Sequence, residues 1–132
     1  HRQSREGEEV NRVEYTGRLT TDGDLTFSAS GTAFYKNTIA VDRRYKKEGE
    51  PDADFFKFKM FGNAAETFQK WTEKGSKVFI AGHNQNNNYT DKEGTKHYEI
   101  VLVVDEFEFL DRKSDTKEDT IRVPDDVELP FN

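Results

Sequence analysis

The stretch DFFKFKMFG, residues 54–62, sets four phenylalanines and a methionine beside two lysines. Successive side chains of a strand point to opposite faces. Phe56, Phe58 and Met60 therefore form one row, which reads as core, while Phe55, Lys57, Lys59 and Phe61 form the other. An aromatic, two cations and another aromatic make a poor core and a wasteful solvent face. Exposed rings with cations between them are suited to stacking flat π-systems along a line of anions. They would also suit a subunit interface with snorkelling lysines. A second concentration of cations, Arg43, Arg44, Lys46 and Lys47, surrounds Tyr45. Alone, such a charge run reads equally as a solvated loop.

Other chemistries lack their residues. There is no Gly-rich phosphate loop, no G-x-S-x-G elbow and no Ser/His/Asp cluster, so no catalytic residue and no enzyme is expected. His83 and His97 share no metal-ligand spacing with each other or with a carboxylate pair. Asp22 and Asp24 lack the later ligands of a calcium loop. Asn88, Tyr89 and Thr90 form a glycosylation sequon that means little without secretion. No cofactor or metal is expected. With no cysteine in the chain, disulfides and thiolate sites are excluded and a reducing compartment, the cytoplasm, is the expectation. No apolar run approaches the roughly 18 residues of a membrane span, so a membrane partner is not expected. The opening HRQSREGEE has no apolar region of the kind a secretory signal needs.

At 132 residues, with 33% hydrophobic and 35% charged, the chain suits one small domain with polar appendages. The formal charge of −6 argues at face value against a nucleic-acid partner, but its distribution matters more. Residues 111–132 hold seven acids and four bases, and residues 1–9 three acids and two bases. The body is thus only slightly acidic, and any basic surface must be a local stripe.

Turn signals cut that body into short alternating segments, which favours an all-β barrel or sandwich. Residues 10–19 put Val13, Tyr15 and Leu19 on one side, and TTDGD then turns the chain. Residues 32–45 read as a long strand with Tyr35, Ile39 and Val41 inward. Asn37 interrupts that row and needs partners or a slipped register. After Gly62 the period changes to 3.6. Asn63 and Glu66 suggest a capping box, Phe68 and Trp71 share a face that assigns both to core packing, and Gly75 stops the helix. KVFIAG resumes β structure, HNQNNNYTDKEGTKH reads as a polar hairpin arm, and YEIVLVVDEFEFL ends the body with Ile100, Leu102 and Val104 inward. Tyr98 fits core or rim. The order β, β, β, α, β, β predicts an all-β fold with one helix: a five-stranded OB-fold barrel with the helix between strands 3 and 4. From Asp111 the pattern dissolves into charges and threonines, as in a disordered acidic tail. Its tip, PDDVELPFN, sets Val127, Leu129 and Phe131 among Asp125, Asp126 and Glu128, the makings of a short docking motif. The expected organisation is a flexible segment at 1–9, an OB-fold domain at 10–110 and a tail at 111–132.

VNRVEYTGRLTTD, IAVDRRY, ADFFKFKMFG, EKGSKVFIAG, NYTDKEGTKHYE and PDDVELPF, in this order and spacing, make the chain resemble the bacterial and phage single-stranded DNA-binding proteins. The resemblance implies an OB fold assembled as a homo-oligomer, usually a tetramer, with a dimer as the alternative. It further implies sequence-tolerant binding of single-stranded DNA in replication, recombination and repair. The stacking positions fall on Tyr45, Phe55, Phe61 and Tyr89. Arg43, Arg44, Lys46, Lys47, Lys57 and Lys59 would then meet phosphates. Asp125, Asp126, Leu129, Pro130 and Phe131 would form a tip that docks replication or recombination proteins. Relatives often have tryptophan where this chain has Tyr or Phe, commonly carry arginines where the arm has HNQNNNY, and end on the Phe that Asn132 follows here. The short linker leans towards a phage or plasmid copy, acting in a bacterial host cytoplasm. Two other classes fit less well. An OB-fold protein-interaction or replication-initiation module needs neither the basic stripe nor Phe131, and an OB-fold nuclease needs clustered acids where this face offers Lys and Phe.

Overall fold

The computed structural model describes residues 9–111. The elements are β1 (Val13–Leu19), β2 (Asp24–Phe27), β3 (Ala33–Asp42), β4 (Ala53–Phe61), α1 (Gly62–Trp71), β5 (Lys77–Asn86), β6 (Tyr89–Thr90), β7 (Lys96–His97) and β8 (Ile100–Phe109). The main sheet runs β1-β5-β8-β4-β3-β2, and a further β1–β3 pairing closes five of these strands into a barrel. This is the OB fold, with β2 added outside the closure and a β6–β7 ribbon forming the arm.

Closure depends on β1 serving two partners. Val13 to Arg18 pair with β5, while Arg18 and Leu19 also pair with Ala40 and Ile39 of β3. At the crossing, a Cβ on Gly17 would sit on the Ala40 carbonyl oxygen. Only glycine lets the two backbones meet there. Similarly, the β5–β8 register shifts between Ala81 and Gly82, and a Cβ on Gly82 would overlap the Val103 carbonyl oxygen. Such a bulge bends its strand and increases the local twist, as closing a barrel requires.

The inward rows meet as the alternation requires. Tyr35, Ile39, Phe58, Met60, Phe68, Val78, Ile80 and Leu102 are fully buried. Tyr35, Phe58 and Phe68 contact one another with ring centroids 5.3 to 6.1 Å apart. Tyr15 and Phe56 stack at 4.4 Å on the periphery of the same core. Asn37 keeps its place in the inward row, paired in register with Phe58. Its amide donates to the Tyr35 hydroxyl at 2.8 Å and the Thr21 carbonyl at 3.1 Å, and its oxygen accepts from Thr21 Oγ1 at 2.9 Å and Thr38 N at 2.7 Å. A buried amide with four partners leaves none of its polar atoms unsatisfied. It also ties the β1–β2 turn to the core.

Six expectations need correction. β2 is a short strand where the pattern predicts only a turn, because four residues, DLTF, pair along β3. The long strand read over 32–45 stops at Asp42, so Arg43, Arg44 and Tyr45 lie in the following loop. The capping box does not form. Gly62, at φ 75°, turns the chain directly from β4, making Phe61 the N-cap without a side-chain bond and placing Asn63 inside the helix. The helix ends at Trp71 rather than near Gly75, and Thr72 Oγ1 donates to the Phe68 carbonyl at 2.6 Å. Trp71 is 41% exposed. At 100° per residue it lies about 120° around the axis from Ala65, so Ala65 and Phe68 face the barrel and Trp71 rotates out. Finally, Ile100 is 61% exposed although Leu102 is buried. Its register partner Asn86 is the last residue of β5, where the arm leaves the barrel.

Candidate nucleic-acid interface

The β3–β4 pairing builds the site. On the outer face it sets Phe34 beside Phe61, Lys36 beside Lys59, Thr38 beside Lys57 and Ala40 beside Phe55. The second row of the DFFKFKMFG strand is thus outward, with Phe55 62% and Phe61 49% exposed. Phe34 stacks on Phe61 at 5.1 Å. Lys59 Nζ lies 5.8 Å from the Phe61 ring centre, and Lys36 Nζ lies 6.0 Å from that of Phe34. A shallow cleft bordered by Thr26, Phe27, Phe34, Lys59 and Phe61 extends this surface towards β2. Phe34, Lys36 and Phe27 are additions to the residues read from sequence. The alternation of AFYKNTIAVD already put Phe34 and Lys36 opposite Tyr35. For Phe27 the signal was weaker, since a four-residue strand barely shows a period.

The six cations expected to meet phosphates are not equivalent. Arg43 is held by Asp54 through Nε at 3.1 Å and Nη2 at 2.9 Å, with Glu50 3.5 Å from Nη1. This bidentate pair lowers the Asp54 pKa and raises that of Arg43. Lys57 Nζ lies 3.0 Å from Glu99 Oε1, while Glu99 Oε2 accepts from Asn87 Nδ2 at 2.6 Å. Those hydrogen bonds, from Lys57 first and then Asn87, hold the Glu99 carboxyl below the usual carboxylate range. By contrast, Arg44, Lys46 and Lys47 are exposed, and together with Lys59 they make no ion pair with a described residue. Tyr45, 82% exposed, stands among them.

Tyr89 lies on the arm, 48% exposed, with one face stacked on His97 at 4.8 Å and 14°. Tyr98 is at the rim, 73% exposed. His83 pairs with Asp105 at 3.2 Å, and among the described residues no group of three metal-ligating side chains comes together. No described helix is long and apolar enough to cross a membrane. The tip residues Asp125, Asp126, Leu129, Pro130 and Phe131 lie outside the described residues.

A closed OB barrel that displays aromatics and lysines on its β3–β4 face is the architecture of a single-strand binder. Residues 10–110 match the single-strand binding protein family, and the chain belongs to that family. It is similar to single-stranded DNA-binding protein 3 of Clostridium acetobutylicum, 40% identical over 103 residues covering 77% of this chain and 72% of that protein. To single-stranded DNA-binding protein 2 of the same organism it is 33% identical over 133 residues, covering 92% of this chain and all of that one. Single-stranded DNA-binding protein 1 of Streptococcus pyogenes is 32% identical over 108 residues, 81% of this chain and 83% of that protein.

Proposed function

We propose that this protein binds single-stranded DNA without sequence preference, stacking bases on Tyr45, Phe55, Phe61 and Tyr89 and meeting phosphates with nearby cations. The observation that carries this reading is the outward row itself. Phe55, Lys57, Lys59 and Phe61 share one strand face, continued across the register by Phe34 and Lys36. Every base has a π-face, so stacking is tolerant of sequence, and cations between the rings follow the backbone. Lys36, Lys59, Arg44, Lys46 and Lys47 are the principal phosphate groups. Arg43 and Lys57 contribute only as their carboxylate partners yield. Coating the strand in this way would protect it during replication, recombination and repair in a cytoplasm. A homo-oligomer, tetramer or dimer, is supported by β1, whose Val13 to Gly17 pair with no strand on the β3 side among the described residues. Such an edge offers free backbone N–H and C=O groups to a second copy.

Labelled oligo-dT should be retained by the protein in a gel shift, competed by poly-dT and not by duplex DNA. Replacing Lys36, Lys59, Lys46 and Lys47 with Gln should flatten the dependence of log K on log salt, by about 0.7 for each phosphate no longer neutralised. Arg43→Gln should change the slope less, because Asp54 already neutralises the guanidinium. An unchanged slope in the quadruple variant would put the phosphate track on another face.

The tip adds partner recruitment to the proposal. Leu129 and Phe131 are apolar anchors, and Asp125, Asp126 and Glu128 would steer them to a basic pocket on a replication or recombination protein. Deleting residues 123–132 should leave oligo-dT affinity equal or slightly higher at low salt, since the acidic tip no longer competes with phosphate. The deletion should also abolish binding to such partners. Equal recruitment by both forms would reduce the tip to a solubilising segment.

A further inference from the structure

The arm presents Tyr89 on a ribbon of two residues per strand, β6 and β7, with Tyr89 and His97 directly opposed. A ribbon this short is not stable by itself. Its turn is organised by one carboxylate. Asp91 N donates to the Thr95 carbonyl at 2.9 Å, and Gly94 N donates to the Asp91 carbonyl at 3.0 Å. Asp91 Oδ1 accepts from the backbone N–H groups of Glu93 and Thr95, both at 2.9 Å. The other oxygen, Oδ2, lies 2.8 Å from His97 Nε2. An ionised carboxylate only accepts, so Nε2 carries the hydrogen and the imidazole plane is set by the turn. The His97 bond, followed by the Thr95 bond, holds the Asp91 carboxyl below its ordinary range, which keeps this acceptor ionised. The imidazole so fixed lies parallel to the Tyr89 ring at stacking distance.

We infer that His97 is a positioning residue for Tyr89: anchored by Asp91, its ring backs one face of the phenol and leaves the opposite face open to a nucleobase. The inference rests on the reading of Tyr89 as a stacking residue for single-stranded DNA. A tyrosine on an exposed arm would otherwise lose rotamer freedom each time a base arrived. With His97 behind it, the ring is already oriented, and a base adds a third layer to an existing stack. His97 therefore acts on affinity through Tyr89 and not by touching DNA itself.

Oligo-dT titrations of the wild type, Tyr89→Ala, His97→Gln, the double variant and His97→Phe test this. Glutamine retains an N–H for Asp91, so the turn persists while the backing ring is removed. His97→Gln should weaken binding about three- to tenfold, the range expected when one side chain must be ordered on binding. The double variant should bind like Tyr89→Ala alone, because two residues acting through one contact are not additive. His97→Phe, which restores a ring without the Asp91 bond, should recover part of the affinity. In the free protein, the Tyr89 ring protons should show a ring-current shift that His97→Gln abolishes. Unchanged affinity in His97→Gln, an equal loss in the Tyr89→Ala background, failure of His97→Phe to recover affinity or Tyr89 resonances indifferent to the substitution would each overturn the inference. Those results would leave the binding reading intact as long as the wild type retains oligo-dT. A wild type that does not bind oligo-dT overturns both.

Discussion

Phe58→Ala should lower folding stability by about 3 to 5 kcal/mol, the range for truncating a large aromatic in a core. Phe58 is 1% exposed and sits between Tyr35 and Phe68, with ring centroids 6.1 and 5.9 Å away. It is also in register with Asn37 on β3 and Leu102 on β8. Removing the ring would open a void where the helix plugs the barrel and two sheet partners converge. Those walls cannot collapse without moving backbone, so relaxation recovers little. Urea denaturation followed by circular dichroism reads the effect as a lower midpoint with an unchanged slope. A variant as stable as the wild type would mean that the inward row of β4 had been assigned wrongly.

Phe55→Ala and Phe61→Ala should do the reverse, each weakening oligo-dT binding by about 1 to 3 kcal/mol while leaving the urea midpoint nearly unchanged. Both rings are on the outer face, 62% and 49% exposed, so truncation removes a stacking platform and little core. Six residues along a strand separate them by roughly 20 Å, far enough for the losses to add. The double variant should therefore lose about 2 to 6 kcal/mol, a fall of roughly one and a half to four orders of magnitude in affinity. Phe61→Ala should be partly buffered, because Phe34 stacks against the same site and keeps one ring there. Filter binding at a single stated salt concentration separates these outcomes. Binding unaffected by removal of both rings would move the stacking track off β4 and leave its outer face as a subunit interface.

The contrast between Phe58 and its neighbours was legible in the sequence because strand alternation is a property of the backbone alone. A period of two assigns every side chain of DFFKFKMFG to a face once the stretch is read as a strand. The same logic applied to AFYKNTIAVD already contained Phe34 and Lys36. Apart from the four-residue β2, element order was legible for a similar reason, since turn residues and the switch to a 3.6 period are local signals. Contacts between distant segments were not. Glu99 on Lys57, 42 positions away, and Asn37 amid Tyr35 and Thr21 depend on which strands become neighbours. So does the closure of β1 onto β3 at Gly17, where one missing Cβ permits the approach. Trp71 and Ile100 mark the same boundary. Each has the spacing of a core residue, but Trp71 is turned about 120° from Ala65 around the helix axis and Ile100 pairs only with Asn86 at the end of β5, so both stay partly exposed. Local chain chemistry determined the elements and their faces. Tertiary structure decided which faces are covered and which cations are already paired, because both depend on long-range packing that no local period encodes.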